Sequence, residues 1–357
     1  MSKQSIIALY KIQDSIPSYN ELIEKYTIIP YQLTTKEKFI NDMKMKPYSD
    51  AVAIYGSFPC LNPIGGLLDK QIISALPQNL KIIGISSAGY DAYDLDELAK
   101  NGIKLTNVPV SKEAAMDVAD TALWHVISGC RKFTYWDKKT RDINDTLKVR
   151  DIVRNEDVND KEVGFAFGHV VSGIPVRRIS NRKAIVLGYG LIGQFLVERL
   201  KSLNMNVNII VTNKEKYKTS KDYENIFNVT DLPEIAENTD VIVVCLPGGS
   251  NTKHIINENI INKLNPQSII VNIGRGSCID HQALKKAVEI NHIGHVGLDV
   301  FDTEPHIEEF WTQNLKQCTL TPHLGSATFE TFEFATDVNI KNIMSILEGK
   351  ECENILN

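Results

Sequence analysis

The chain has 357 residues, is 43% hydrophobic and 23% charged, and carries a formal net charge of −5. That length suits two domains with sizeable cores, and the mild acidity argues against a nucleic-acid partner. No apolar run approaches the roughly 20 residues that span a bilayer, and six scattered cysteines without a C-x-x-C pair read as reduced core residues, not disulfides or metal ligands.

From the N-terminus, strand-like runs at Ile6–Tyr10, Tyr26–Pro30, Ala51–Tyr55, Lys81–Ile85 and Ile103–Leu105 alternate with polar, periodic stretches such as Thr35–Lys44 and Asp69–Leu76. This is the rhythm of βα units and a parallel sheet. The first apolar run is too short for a signal-peptide core, so a cytoplasmic location is expected. After the fourth run comes Ser86-Ser87-Ala88-Gly89-Tyr90-Asp91, whose small residues let backbone N–H groups approach an anion. On spacing alone this is a plain strand-to-helix turn. Residues 113 to 131 read as a helix with Met116, Ala119, Leu123, Val126 and Ile127 on one face. The stretch 132 to 180 is charged and then Gly-rich (Gly164, Gly168, Gly173), and reads as a surface excursion or an interaction insert.

A buried strand, Ala184–Leu187, runs straight into Gly188-Tyr189-Gly190-Leu191-Ile192-Gly193 and a helical stretch to Leu203. Between strand and helix, G-x-G-x-x-G is a dinucleotide fingerprint. The first Gly makes the tight turn, the second lets backbone approach the pyrophosphate, and the third lets helix pack on strand. The next strand, Val207–Val211, ends in Thr212-Asn213-Lys214, where an acidic residue would hold an NAD ribose. A hydroxyl, an amide and a cation suit a 2′-phosphate, so NADP(H) is expected in preference to NAD(H). The alternative is a solvated loop lysine. Asp240–Leu246 is a further buried strand, and Asp280 is placed to cap a helix from Gln282 to Glu289.

Three segments toward the C-terminus each end a short apolar run with one reactive side chain: Arg275 after Asn272-Ile273-Gly274, Glu304 after Leu298-Asp299-Val300-Phe301-Asp302-Thr303, and His323 after Thr321-Pro322. In open α/β sheets, ligands sit outside the carboxyl ends of strands, so the three are expected to share one crevice. A guanidinium grips a carboxylate with two parallel hydrogen bonds. A His carries a proton to or from a reacting oxygen, and a neighbouring Glu orients the ring and favours its charged form.

These segments resemble the signatures of the D-isomer-specific 2-hydroxyacid dehydrogenases: N-x-x-R-G, G-x-D-V-F-x-x-E-P and T-P-H-x-G-x-x-T, in order and at family-like spacing. The resemblance implies two doubly wound α/β domains, a flavodoxin-like substrate domain (1–115 plus 320–357) and a Rossmann coenzyme domain (116–319), with the active site in the cleft between them. It implies that Arg275, Glu304 and His323 are catalytic and that Ala88 and Gly89, with Arg275, hold the substrate carboxylate. Gly188, Gly190, Leu191, Ile192, Gly193, Thr212, Asn213, Lys214, Leu246, Pro247, Ile273 and Asp299 would contact the coenzyme, Asp299 at the nicotinamide carboxamide. The expected reaction is NAD(P)H-dependent reduction of a small 2-keto acid, of glyoxylate or hydroxypyruvate type, to the D-2-hydroxy acid by a homodimer. The alternatives are a phosphoglycerate or bulky 2-keto-acid dehydrogenase, and a dinucleotide-sensing corepressor-like binding protein. His254, His281, His292, His295 and His306 receive no catalytic role.

Overall fold

A computed structural model describes residues 3–156, 167–171 and 173–357. Gly164 of the Gly-rich stretch lies outside them. The chain divides into two compact units, Met1–Glu113 with Ala327–Asn357, and Ala114–Ser326. The second unit therefore includes the whole Thr321–Ser326 segment, which the expected boundary at 319 would have split off.

The first unit is built on five parallel strands, β1 (Gln4–Ala8), β2 (Tyr26–Pro30), β3 (Ala51–Gly56), β4 (Ile82–Ile85) and β5 (Lys104–Thr106), in the order β2-β1-β3-β4-β5. This is the flavodoxin-like order, with its switch point beside β1. The strands are β-branched and apolar, and β3 and β4 are buried throughout, as a sheet covered on both faces requires. One face packs Ile7, Ile54 and Ile83 against Phe39, Leu68, Ile72 and Leu98. The other packs Ile6, Tyr55 and Ile82 against the helix Phe329–Leu347 through Ile340, Ile343 and Met344. Thr328 caps that helix by accepting the Thr331 N–H. Gly84 is required there, because a Cβ on it would stand 2.1 Å from Asn339 Oδ1 and 2.8 Å from Ile343.

In the second unit β6 (Val170–Val171) and β7 (Ile174–Pro175) form a small antiparallel pair. The main sheet has seven parallel strands: β8 (Lys183–Leu187), β9 (Asn206–Val211), β10 (Ile226–Asn228), β11 (Val241–Val244), β12 (Ser268–Asn272), β13 (Ile293–Leu298) and β14 (Cys318–Leu320). Their order is β10-β9-β8-β11-β12-β13-β14, the doubly wound Rossmann arrangement with its switch point between β8 and β11. One face carries a core around Ile185, Ile242, Ile270, Leu284 and Trp311, the other around Val186, Val243, Val271, Ala122 and Val126. Asp280 caps the helix His281–Glu289 by accepting the N–H groups of Gln282 and Ala283, a contribution of about 1 kcal/mol.

The stretch after 132 carries regular structure that its sequence did not suggest. Phe133–Ile143 and Thr146–Asn155 are helices, and Tyr135, Val149 and Val153 bury a small core with Val171. Charged residues stand between their apolar ones, and only Tyr135, Val149, Val153 and Arg154 of the two helices are buried. Among the described residues, no helix is long and apolar enough to cross a membrane.

Candidate active site

Parallel strands that all point one way deliver their following loops to one edge of the sheet. The loops after β12, β13 and β14 carry Arg275, Glu304 and His323, and neighbouring strands keep the three loops adjacent. The loops are pressed together. A Cβ on Gly276 would fall 2.2 Å from the carbonyl carbon of Phe301, so only glycine lets the Arg275 loop lie on the Glu304 loop.

Arg275 stands at the head of a short 3₁₀ turn, Gly276–Cys278. The fully buried Asn272 side chain builds the approach to it, accepting the Gly274 N–H at 3.1 Å and donating to the Arg275 carbonyl at 2.8 Å. An Arg275 guanidinium nitrogen donates to the Gly274 carbonyl at 3.0 Å. The Arg275 stem lies under Gly248, whose added Cβ would come within 3.1 Å of it.

Glu304 uses both oxygens. Oε1 accepts the Phe301 N–H at 2.8 Å, and Oε2 lies 3.0 Å from Nδ1 of His323. Burial pushes the Glu304 carboxyl up. The His323 hydrogen bond, the Phe301 N–H and the charges of His323 and Arg275 together outweigh burial and hold it below its ordinary value. Glu304 therefore stays ionised beside the ring.

His323 sits at φ 56°, a left-handed conformation uncommon for a side chain of its size. Its N–H folds back to the Thr321 carbonyl at 3.0 Å. Such strain persists only where surroundings impose it. Asp299 imposes it here. Its carboxylate is 2% exposed and accepts from the Thr321 hydroxyl at 2.6 Å, the Leu324 N–H at 2.9 Å and the Gly325 N–H at 2.9 Å. The resemblance aims Asp299 at the nicotinamide; in the structure both its oxygens accept bonds from the turn that bears His323.

The glycine loop follows its expected logic residue by residue. Gly188 has φ 99°, and a Cβ on it would stand 2.9 Å from the Cys245 carbonyl across the switch point. Around Gly190 nothing lies within 4 Å of the Cβ position, so backbone is open to an incoming group. A Cβ on Gly193 would collide with the Gly188 carbonyl at 2.1 Å. Gly190 caps the helix Leu191–Ser202 without a side-chain bond, leaving its first-turn N–H groups and dipole for a phosphate. These residues fit a bound dinucleotide.

At the end of β9, Thr212 and Asn213 are exposed, and Asn213 accepts the Glu215 N–H at 3.0 Å. Lys214 lays its ammonium over the rings of Tyr223 and Phe227, at 4.4 and 5.5 Å from their centroids. Neither ring was legible as part of the site. The nearest carboxylate in sequence, Glu215, accepts the Tyr223 hydroxyl at 2.9 Å. Leu246 is half-buried and Pro247 exposed after β11, and Ile273 is buried beside Arg275. Gly274 is pressed on the Leu246 carbonyl, which a Cβ would meet at 2.4 Å.

In the first unit, Ala88 and Gly89 lie in the bend after β4, half-buried. The Asn107 amide donates to the Ala88 carbonyl at 2.9 Å, and the Ser87 hydroxyl to the Gly89 carbonyl at 3.1 Å. Both peptides are thus held at their carbonyls.

The family model described as D-isomer specific 2-hydroxyacid dehydrogenase, NAD binding domain, matches residues 149–325. The chain is 35% identical over 344 residues to a candidate 2-hydroxyacid dehydrogenase of Saccharomyces cerevisiae, covering 92% of this chain and 89% of the relative. It is 30% identical over 283 residues to a glyoxylate/hydroxypyruvate reductase of Arabidopsis thaliana, 79% of this chain and 80% of the relative. Its fold is similar to the crystal structure of a glyoxylate reductase from Paecilomyes thermophila, with a TM-score of 0.76, 26% identity and coverage of 100% and 99% of the two chains.

Proposed function

Because the chain belongs to the D-isomer-specific 2-hydroxyacid dehydrogenase family, a family of NAD(P)-dependent oxidoreductases, we propose that it reduces a small 2-keto acid of the glyoxylate or hydroxypyruvate type. The observation that carries this reading is the His323–Glu304 pair at 3.0 Å, on the strand edge it shares with Arg275. When bound, the reduced dinucleotide supplies the hydride. The remaining work belongs to this chain. Arg275 binds the substrate carboxylate and polarises the ketone. His323, its Nδ1 committed to Glu304, delivers the proton to the ketone oxygen from the opposite ring nitrogen. Glu304 stabilises the charged ring before transfer. Ala88 and Gly89 offer backbone N–H groups to the substrate carboxylate.

We assign the coenzyme pyrophosphate to the Gly188–Gly193 loop, with Leu191, Ile192, Leu246, Pro247 and Ile273 lining its path. NADP(H) is the preferred form, because the end of β9 presents Thr212, Asn213 and the Lys214 cation. The reductase relatives at 30% identity support a small keto acid. A hydroxyphenylpyruvate reductase of Plectranthus scutellarioides, 30% identical over 284 residues, keeps a bulkier aryl substrate as the second reading. The test is kcat/KM for glyoxylate, hydroxypyruvate, pyruvate and an aryl pyruvate, each with NADPH and NADH. The small acids with NADPH should rank first. An aryl acid ranking first would transfer the assignment to the second reading, and no turnover of any acid would refute catalysis.

A further inference from the structure

The helix Lys112–Arg131 presents Thr121, His125 and Gly129 at intervals of four, with Lys132 just beyond its end. Opposite lie β13, with His295, Gly297 and then Asp299 at alternate positions, and β14, with Thr319 and then Thr321. Polar residues at period two in the core of a parallel sheet are costly unless they satisfy one another. Here they do. His125, His295, Thr319, Lys132 and Asp299 are each at most 3% exposed. Two glycines clear the space. A Cβ on Gly297 would meet the His125 side chain at 2.6 Å, and one on Gly129 would meet the His295 ring at 2.8 Å.

The contacts run in a line. Lys132 Nζ is 2.7 Å from the Gly294 carbonyl and 3.4 Å from His295 Nδ1. His295 Nε2 is 3.0 Å from Thr319 Oγ1, which is 2.7 Å from His125 Nδ1. His125 Nε2 is 3.1 Å from Thr321 Oγ1, which is 2.6 Å from Asp299 Oδ1. The two ends assign every hydrogen between them. A lysine amine at one end donates and a carboxylate at the other accepts. So His295 and His125 each carry their proton on Nε2, and both threonine hydroxyls point toward Asp299. Burial keeps both rings neutral, His125 pushed down to about 3. The line stops at the carboxylate that holds the N–H groups of Leu324 and Gly325, directly after His323.

We infer that His125 is a positioning residue for His323, acting through Thr321 and Asp299 at the end of a buried one-way hydrogen-bond chain that begins at Lys132. The inference rests on His323 being the proton donor. His125 fixes the Thr321 hydroxyl, that hydroxyl fixes the Asp299 carboxylate, and the carboxylate holds the left-handed turn from which His323 projects. Without the Nε2–H of His125, the Thr321 hydroxyl is free to turn from Asp299 and the turn relaxes. A displacement near 1 Å of a positioned acid costs roughly a hundredfold in rate.

The test compares His125→Leu, His125→Gln, Thr321→Val and Thr321→Ser with the parent, measuring thermal melting, KM for coenzyme and kcat for keto-acid reduction. His125→Leu and Thr321→Val should lower kcat roughly tenfold to a hundredfold with coenzyme KM unchanged. His125→Gln, which keeps one donor and one acceptor, and Thr321→Ser, which keeps the hydroxyl, should restore most of the loss. If His125→Leu does not fold, the Thr321 pair decides. A double-mutant cycle separates positioning from general damage, since His125→Leu should cost nothing further in a His323→Ala background. Folded His125→Leu and Thr321→Val proteins with parental kcat, beside an inactive His323→Ala, would overturn the positioning role alone. A His323→Ala protein with parental turnover would overturn both the role and the reading beneath it.

Discussion

Nδ1 of His323 lies 3.0 Å from Oε2 of Glu304, whose other oxygen is anchored by the Phe301 N–H at 2.8 Å. The carboxylate is therefore fixed before the ring meets it, and its charge is set against one imidazole edge. Glu304→Gln keeps the shape and removes the charge. The amide cannot supply a full negative charge beside Nδ1, so kcat for reduction should fall, by less than the roughly 10²–10⁴ expected for loss of the acid itself, with KM for coenzyme unchanged. Steady-state kinetics on parent and variant check this, and a parental kcat would remove Glu304 from the relay.

Arg275→Lys should lower kcat/KM for keto acid nearly as far as removal of His323. An ammonium is a point charge and cannot reproduce two parallel bonds to a carboxylate. The Asn272 turn presents the residue whichever cation is there, so thermal melting should stay close to the parent's. Steady-state kinetics on both proteins decide it, and an unchanged kcat/KM would take Arg275 out of the substrate site.

Lys214→Asp should shift the coenzyme preference toward NADH. A carboxylate there repels a 2′-phosphate and accepts from a 2′-hydroxyl. The ratio of kcat/KM for NADPH and NADH is the measurement, and an unchanged ratio would show that Lys214 does not read the 2′ position. Lys214→Asp also gives up the stacking on Tyr223 and Phe227, so stability should fall slightly with either coenzyme absent.

Lys132 gives a pH-dependent stability of known sign. Burial pushes its amine down to about 7 from the ordinary 10.5, against small opposite effects of Cys318 and Cys130. Between those values the unfolded chain binds a proton that the folded chain does not, so this group's contribution to stability rises with pH across the window. Below about 7 its penalty is fully present. The neighbouring Cys130 and Cys318 thiols, pushed up to about 11 and 12 by burial, act in the opposite sense at high pH, and His295 faces the amine as a neutral ring. The difference between parent and Lys132→Met isolates the lysine. The melting temperature of Lys132→Met relative to the parent should be highest at and below pH 7 and fall toward pH 10. A difference independent of pH would contradict the depressed amine.

Much of this was legible in the chain. Strands such as Ala51–Gly56 and Ile82–Ile85 stand where their short apolar runs predict, because a strand buried on both faces has no polar alternation to blur its ends. The glycine loop was readable because each glycine answers a separate steric demand at Cys245, at open space and at Gly188 itself. The Asp299–Thr321 contact was not readable, since it joins two strands through side chains whose facing depends on register. His125 was hidden for a similar reason. A lone histidine on an apolar helix gives no sign of the Thr319 and Thr321 hydroxyls opposite it. The helices at 133–155 escaped notice because so few of their residues are buried.

The central claim is that His323 donates the proton in reduction of a small 2-keto acid. The direct measurement is the initial rate of NADPH oxidation with glyoxylate and with hydroxypyruvate, for the parent and for His323→Ala. The account predicts turnover by the parent and a kcat lower by roughly 10²–10⁴ in the variant, the usual contribution of a positioned acid, with coenzyme binding unchanged. A variant with near-parental kcat would contradict it.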